Sequence, residues 1–223
     1  ECGGVLTGTT GLLTANGGSG QSAGQANKSG SGGCIAVTYD RAAEASLSPR
    51  PTIAFSASTA DGDMTVGVDV GTLHLPDTTL LSDVFGPKGV VNVQLFLGDW
   101  AGFPSGDVSV TNGTLRLGVG CPETLCFNSL TLAKDGCLKL GGERLPWHYT
   151  GTRFPLETRT GRSLSIAKNL TLEGGSRLYV YGGVTNAAAV ATRTYHGEIL
   201  SGEVNVGGTL SVADGAWIVP VSH

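Results

Sequence analysis

The stretch GRSLSIAKNLTLEGGSRLYV at positions 161–180 recurs forty residues later as SGEVNVGGTLSVADGAWIVP at positions 201–220. Within each copy, apolar and polar residues alternate, which is the period-2 pattern of a β-strand. The apolar residues that coincide in the two copies are Leu164 and Val204, Ile166 and Val206, Leu170 and Leu210, Leu172 and Val212, and Leu178 and Ile218, and Gly175 coincides with Gly215. The repeat therefore predicts short strands that are equivalent from one copy to the next.

Two earlier copies extend this repeat toward the N-terminus. A shift back by 40 residues reaches Leu130, Leu132, Leu138 and Leu140, and a further step of about 22 reaches Val108, Val110, Leu115 and Leu117. A hairpin meander would satisfy the local signals. The step of roughly 20 residues instead matches one coil of a three-faced parallel solenoid, whose coils stack about 4.8 Å apart. The predicted fold is all-β, a right-handed parallel β-helix with long loop excursions.

The regularity of the repeat divides the chain into two parts. Residues 1–106 are predicted to form an irregular, Gly-rich start of the solenoid, and residues 107–223 its regular coils. Segments 141–160 and 181–200 lack alternation and are predicted to be excursions from the coils. Residues 14–33 are rich in Gly, Ser and Ala, which suits either a flexible linker or a wide loop. Residues 41–47 could form one turn of helix.

Composition excludes several classes of protein. Gly accounts for 36 of 223 residues, 40% of residues are hydrophobic and only 14% are charged, which is unlike a disordered chain. The net charge is −4, and no Lys/Arg stripe with interleaved aromatic residues follows the chain, so nucleic acid is not an expected partner. No apolar run approaches the ~18 residues that a membrane span requires. Because the chain begins at Glu1 without a leader, we expect a processed product or a piece of a longer protein.

The five cysteines allow two interpretations. Cys121 and Cys126 are close enough in sequence to close a small loop, and Cys2 could reach Cys34 across the Gly-rich segment, which would leave Cys137 over. Disulfides would imply an oxidising compartment. Alternatively, the cysteines are buried thiols that act as small hydrophobic residues. No pair forms CxxC and no His lies at zinc-finger spacing, so neither a metal site nor a cofactor is expected.

Three N-glycosylation sequons begin at Asn27, Asn112 and Asn169. They matter only in a eukaryotic secretory pathway. For Asn112, which precedes Gly113, a turn is the simpler interpretation.

Several phrases carry a resemblance to a known group of proteins. GSGGCIAVTY at 30–39, LTLEGGSRLYVYGG at 170–183 and GGTLSVADGAWI at 207–218 resemble Gly-rich repetitive bacterial surface proteins, the autotransporter-passenger and adhesin β-helices of the pectin-lyase-like kind. The resemblance is clearest over residues 107–223 and 28–40. It implies export, a parallel β-helix and a role at the cell surface, and it transfers no catalytic residue.

The search for chemistry yields one cluster of candidates. Trp147, His148, Tyr149, Arg144 and Arg153 all lie on the first predicted excursion, 141–160, where they could face a glycan cleft. Aromatic rings stack on sugar faces, and the Arg fork binds carboxylates. The alternative is that this aromatic segment packs over the solenoid wall.

Catalytic motifs are otherwise missing from the sequence. No nucleophile elbow, zinc-protease motif or phosphate-binding loop is present. His74 alternates with Leu73 and Leu75 and is predicted to face solvent, whereas Asp83 and Asp99 look isolated.

Three functional hypotheses follow. The preferred one is a non-catalytic structural or adhesive protein of the cell surface, secreted, with glycans or other surface proteins as its partners. The second is a carbohydrate-active enzyme or glycan-binding module. The third is a subunit that associates end to end, because an uncapped coil exposes apolar layers.

Overall fold

The computed structural model describes residues 4–22, 25–59, 70–118, 120–141, 162–184, 199–200 and 202–221, and these are almost all β. The first strands are β1 (Gly11–Thr14), β2 (Ser19–Ser22), β3 (Gln25–Ser29), β4 (Cys34–Ala36), β5 (Ile53–Ser56), β6 (Gly71–Leu75), β7 (Val84–Phe85), β8 (Val90–Val91) and β9 (Val93–Leu97). The later strands are β10 (Asp107–Leu117), β11 (Thr124–Phe127), β12 (Ser129–Leu140), β13 (Ser163–Ile166), β14 (Leu170–Leu172), β15 (Arg177–Tyr181), β16 (Gly183–Val184), β17 (Ile199–Leu200), β18 (Glu203–Val206), β19 (Leu210–Val212) and β20 (Trp217–Val221).

Parallel pairing dominates the described strands. A ten-stranded sheet follows the order β19-β14-β12-β10-β9-β6-β4, with β15 and β20 continuing from β12 and with β7 beside β10. Smaller parallel sheets are β1-β5-β8 and β11-β13-β18. The ten-stranded sheet takes strands from both sides of residue 106, where the regular repeat begins.

The strand pairs confirm the registers that the repeat predicts. Leu170 lies opposite Leu130 on one side and Leu210 on the other, and Leu178 lies between Leu138 and Ile218. The remaining predicted pairs, Leu164 with Val204, Ile166 with Val206, Val108 with Leu130 and Leu115 with Leu138, are also as expected. Equivalent residues of successive copies are therefore neighbours in the sheets.

Three stacks of strands carry these pairs. Stack A contains β7, residues 107–111, residues 129–133, β14 and β19. Stack B contains β4, β6, β9, residues 113–117, residues 136–140, β15 and β20. Stack C contains β11, β13 and β18.

Aliphatic side chains at alternate positions of the stacks form one core. Leu130, Leu140, Leu164, Leu170 and Leu178 are all 0% exposed. Burying a leucine side chain contributes about 2 kcal/mol, so the ladders of stacked leucines provide much of the stability.

The corners between stacks A and B need unusual backbone conformations. Gly175 and Gly215 have φ of +81° and +74°, and Asn112 has φ of 50°. Glycine and asparagine adopt this left-handed region at the lowest cost. The Asn-Gly and Gly-Gly breaks in the repeat are therefore corners at which the chain passes from one stack to the next.

Asparagine side chains also join successive rows at the corners. The Oδ1 atom of Asn92 accepts a hydrogen bond from the Thr114 N–H at 2.9 Å, and that of Asn169 accepts one from the Thr209 N–H at 3.1 Å. Near the N-terminus, Asn16 Oδ1 accepts from the Ser58 N–H at 2.9 Å. Each bond satisfies a backbone donor that the sheet ladder leaves at the corner.

Two irregular segments contain antiparallel pairs that the sequence does not predict. Within the Gly-rich stretch at 14–33, which suited either a flexible linker or a wide loop, β2 and β3 pair antiparallel. The excursion predicted over 181–200 begins and ends in the antiparallel pair β16–β17.

The expected helical turn is α1 (Arg41–Ala45), whose N-cap Asp40 accepts hydrogen bonds from the N–H groups of Ala42 and Ala43. Among the described residues, no helix has the length and apolar character to cross a membrane.

Candidate binding face

The predicted glycan contacts Arg144, Trp147, His148, Tyr149 and Arg153 lie outside the described residues. The described residues on either side of that segment are Gly141 and Arg162, and they lie close together. A Cβ atom on Gly141 would stand 3.7 Å from Arg162 Cγ and 3.5 Å from Tyr181 Cβ. Gly141 and Arg162, the described residues that flank the candidates in sequence, therefore both lie near Tyr181.

Stack B brings basic and aromatic side chains together at its outward positions. Arg116, Lys139 and Tyr179 are consecutive across three neighbouring strands. Lys139 Nζ lies 5.6 Å from the centre of the Tyr179 ring, within the range of a cation–π interaction. The Tyr179 and Tyr181 ring centres are 6.5 Å apart. We call Arg116, Lys139, Arg177, Tyr179 and Tyr181 the basic–aromatic face.

Burial varies along this face. Arg116 is 6% exposed and Lys139 is 5% exposed, although both occupy outward positions between inward-facing leucines. Charged side chains are seldom this buried in folded proteins. In the next rows Tyr179 is half-buried, Arg177 is exposed and Trp217, opposite Arg177, is exposed. The accessible part of the face is therefore the β15–β20 end.

No linear motif predicts this face, because Arg116, Lys139 and Tyr179 are 23 and 40 positions apart in the sequence. The chain has no linear stripe of basic residues, but stacking assembles one across strands. The repeat alignment does contain a signal for this face. The polar residues between the matched leucines also fall at equivalent positions in successive copies. In the column beside Leu115 and Leu138, those polar residues are Arg116 and Lys139.

A second cluster joins the loops that follow β4, β6 and β9. Asp77 Oδ1 accepts hydrogen bonds from the Tyr39 hydroxyl at 2.6 Å and from the Thr79 N–H at 2.9 Å. Arg41 Nε donates to Asp77 Oδ2 at 2.8 Å, and Arg41 Nη2 donates to Asp99 Oδ2 at 2.7 Å. The expectation that Asp99 is isolated is therefore wrong, because the stacking of loops brings it to Arg41 from 58 residues away in sequence.

The electrostatics of this cluster favour a structural clamp over acid–base catalysis. In this clamp Asp77 binds Tyr39 and Arg41, and Asp99 binds Arg41. Burial pulls the pKa of Asp77 upward, but the hydrogen bonds from Tyr39, the Thr79 backbone and Arg41 outweigh it and lower the pKa to about 2. Burial and the bond to Asp77 raise the pKa of Tyr39. The bonds from the Ala101 N–H and Arg41 lower the pKa of Asp99. Each of these groups is thus held in one protonation state near neutral pH.

The structure corrects the predicted disulfides. Cys121 and Cys126 are free thiols, since Cys121 is buried in the core whereas Cys126 occupies an outward position of β11. Cys34 is also free and exposed, and its proposed partner Cys2 lies outside the described residues. Cys137 is a buried thiol. Burial raises the pKa of the Cys121 thiol, and the charge of Arg162 partly offsets this effect.

The remaining candidate residues are placed as follows. His74 is exposed, as predicted, and its ring stacks on Phe96 with 4.6 Å between centres. Asn112 and Asn169 are exposed at corners, and Asn27 belongs to β3. In the part of the chain that the structure describes, no three His, Cys, Asp or Glu side chains form a group suited to a metal ion.

Comparisons with known proteins identify no relatives. No family model matches the chain, and neither a curated protein nor a solved structure is significantly similar to it.

Proposed function

We propose that this chain belongs to a secreted, right-handed parallel β-helix that serves as a rigid structural or adhesive element at a cell surface and has no catalytic activity. The observation that carries the proposal is the in-register stacking of equivalent residues, from Val108 through Leu130 and Leu170 to Leu210, around an aliphatic core. Continuous parallel ladders of this kind suit a stiff rod whose loops are free to make contacts.

The right-handed solenoid is supported by the order of the strands. The chain passes from stack C to stack A to stack B and returns to stack C one step later, for example through β13, β14, β15 and β18. Parallel strands joined by crossovers are right-handed in nearly all known sheets. An experimental density map that resolves side chains would test the hand directly.

The proposed non-catalytic role agrees with the state of two described carboxylates, Asp77 and Asp99. Asp77 and Asp99 each have both oxygens engaged in hydrogen bonds, and the pKa of each is lowered. A general acid in polysaccharide cleavage needs a raised pKa instead.

The test is a depolymerisation assay on acidic and neutral polysaccharides, measured by the release of reducing ends. We expect no turnover above that of a heat-denatured sample. Turnover that Arg144→Ala or His148→Ala abolishes would overturn the non-catalytic role, provided that Lys168→Ala, an exposed control, retains it. Protease treatment of intact source cells tests the surface location, because a surface protein is degraded while the cells remain closed.

A second candidate function is glycan binding, which the basic–aromatic face favours. Arg177 and Trp217 are neighbouring exposed side chains, and Tyr179 presents a half-buried ring beside them. A glycan array probed with the labelled chain tests this candidate. Binding that Trp217→Ala and Arg177→Ala weaken at least tenfold, but that Lys168→Ala leaves intact, would support it. Equal binding by all three variants would contradict it.

A further inference from the structure

The chain contains two Asn-Gly pairs, Asn16-Gly17 and Asn112-Gly113, and both asparagines are exposed. Asparagine is a thermolabile residue, because the backbone nitrogen of the next residue can attack its side-chain amide. Glycine as the next residue favours this attack, since it has no Cβ to keep its nitrogen away from the asparagine Cγ atom. The structure holds the two pairs in different ways.

Asn16-Gly17 is tethered at both of the groups that would react. The Oδ1 atom of Asn16 accepts a hydrogen bond from the Ser58 N–H at 2.9 Å, and the Gly17 N–H donates to the Ser58 carbonyl oxygen at 2.9 Å. The side-chain amide and the attacking nitrogen are therefore held by the same residue of the next row. An attack of Gly17 on Asn16 requires both bonds to break.

Asn112-Gly113 has no such tether on its side chain. Within the part of the chain that the structure describes, no group forms a hydrogen bond with the Asn112 side chain. This asparagine has φ of 50° and lies at the corner between residues 107–111 and 113–117. The Asn112 side-chain amide is therefore exposed and free to rotate toward the Gly113 nitrogen.

The corner itself selects this reactive pair. Asparagine is one of the few residues that adopt the left-handed conformation at low cost. Gly113 lies so close to the preceding row that a Cβ atom there would overlap Val91 Cγ2 and stand 2.6 Å from Asn92 Oδ1. The geometry thus favours asparagine at position 112 and requires glycine at position 113.

We propose that Asn112 is a site of spontaneous deamidation in the folded chain. The Gly113 nitrogen bonds to Asn112 Cγ and loses its proton, the bond from Cγ to the amide nitrogen breaks, and ammonia leaves. Water then opens the resulting succinimide at either carbonyl and leaves aspartate or isoaspartate at position 112. The sum is the uptake of water and the release of ammonia, with no oxidation or reduction. This modification is independent of the structural, adhesive or glycan-binding role.

Isoaspartate would alter the corner mechanically. It routes the main chain through the side-chain carbon and so lengthens the backbone by one CH2 group, next to a glycine that already packs against Val91 and Asn92. The pairs Thr111 with Ala133 and Gly113 with Gly136 lie on either side of this point. We therefore expect the modification to loosen the pairing of β10 with β12 at the corner.

The test compares the two Asn-Gly pairs within one molecule. The whole folded chain is incubated at mildly alkaline pH, and peptide mass spectrometry follows aspartate and isoaspartate at both positions. We expect Asn112 to convert at least tenfold faster than Asn16, and the two rates to converge in urea, where the tether on Asn16 is lost. Equal rates in the folded chain would overturn the proposal. A tenfold difference that persists in urea would also overturn it, because local sequence would then decide the rates.

A variant that cannot react tests the mechanical consequence. Asn112→Gln removes the five-membered succinimide route, and Asn112→Gly, which also adopts the left-handed conformation, replaces it if circular dichroism shows unfolding. After the same incubation, hydrogen exchange at the 110–114 corner should be faster in the parent chain than before incubation and unchanged in the variant. Equal acceleration in parent and variant, or none in a parent chain that has converted, would contradict the loosening of the corner.

Discussion

At the residue scale, Asp77 illustrates how stacking converts surface side chains into a clamp. Tyr39 and Arg41 follow β4, Asp77 follows β6 and Asp99 follows β9. Asp77 accepts hydrogen bonds from Tyr39 and Arg41, and Arg41 also donates to Asp99. The Asp77 side chain is 10% exposed, so its bonds are little screened by water. Ionised Asp77 therefore joins adjacent rows at a position where the backbone makes no ladder.

We predict that Asp77→Asn destabilises the chain near neutral pH by about 2 kcal/mol. The folded-state pKa is about 2, below the reference value of 3.8, so the stabilisation is present above pH 4 and is lost as pH falls toward 2. Urea unfolding at a series of pH values measures this loss, which should be smaller in Asp77→Asn. Asp214→Asn, at an exposed turn, is the control and should follow the parent. An identical pH dependence in parent and Asp77→Asn would contradict the clamp.

The cysteines give a second prediction at this scale. Pulse alkylation of the folded, unreduced chain should label Cys34 and Cys126 quickly, because both are exposed thiols. Cys121 and Cys137 are buried and should react only after unfolding. Peptide mass spectrometry identifies the labelled sites. If Cys121 and Cys126 became reactive only after reduction, the two would instead be joined in a disulfide.

At the scale of elements, the sequence predicted strand registers better than side-chain neighbours outside the core. The pairing of Leu130 with Leu170 and Leu210 could be predicted because identical apolar spacing recurs at a fixed step. The contact between Arg41 and Asp99 could not, since it depends on how two irregular loops stack. The β2–β3 hairpin was also missed, because its Gly, Ser and Gln residues carry no alternation of hydrophobicity.

The leucine ladder provides a matched test of this stacking. Leu170 and Leu210 are paired equivalents on adjacent strands, but Leu170 is 0% exposed and Leu210 is 52% exposed. We predict that Leu170→Ala costs about 2–5 kcal/mol, since it leaves a cavity between two rows. Leu210→Ala should cost less than about 1 kcal/mol. Both values come from urea unfolding, and equal losses would mean that Leu210 is covered to the same extent as Leu170.

At the scale of the whole molecule, each row of strands depends mainly on the rows beside it. β12 pairs with β10 on one side and with β14 and β15 on the other, whereas the described partners of β19 and β20 lie on one side only. In such an arrangement, stability is approximately a sum of row and interface contributions. The end rows therefore open at a lower free energy than the central rows.

Hydrogen exchange should reveal this gradient. We predict the slowest amide exchange in β10 and β12, and exchange at least tenfold faster in β1, β19 and β20, which lose only one neighbour on opening. Uniform protection across the strands would instead indicate a single cooperative unit.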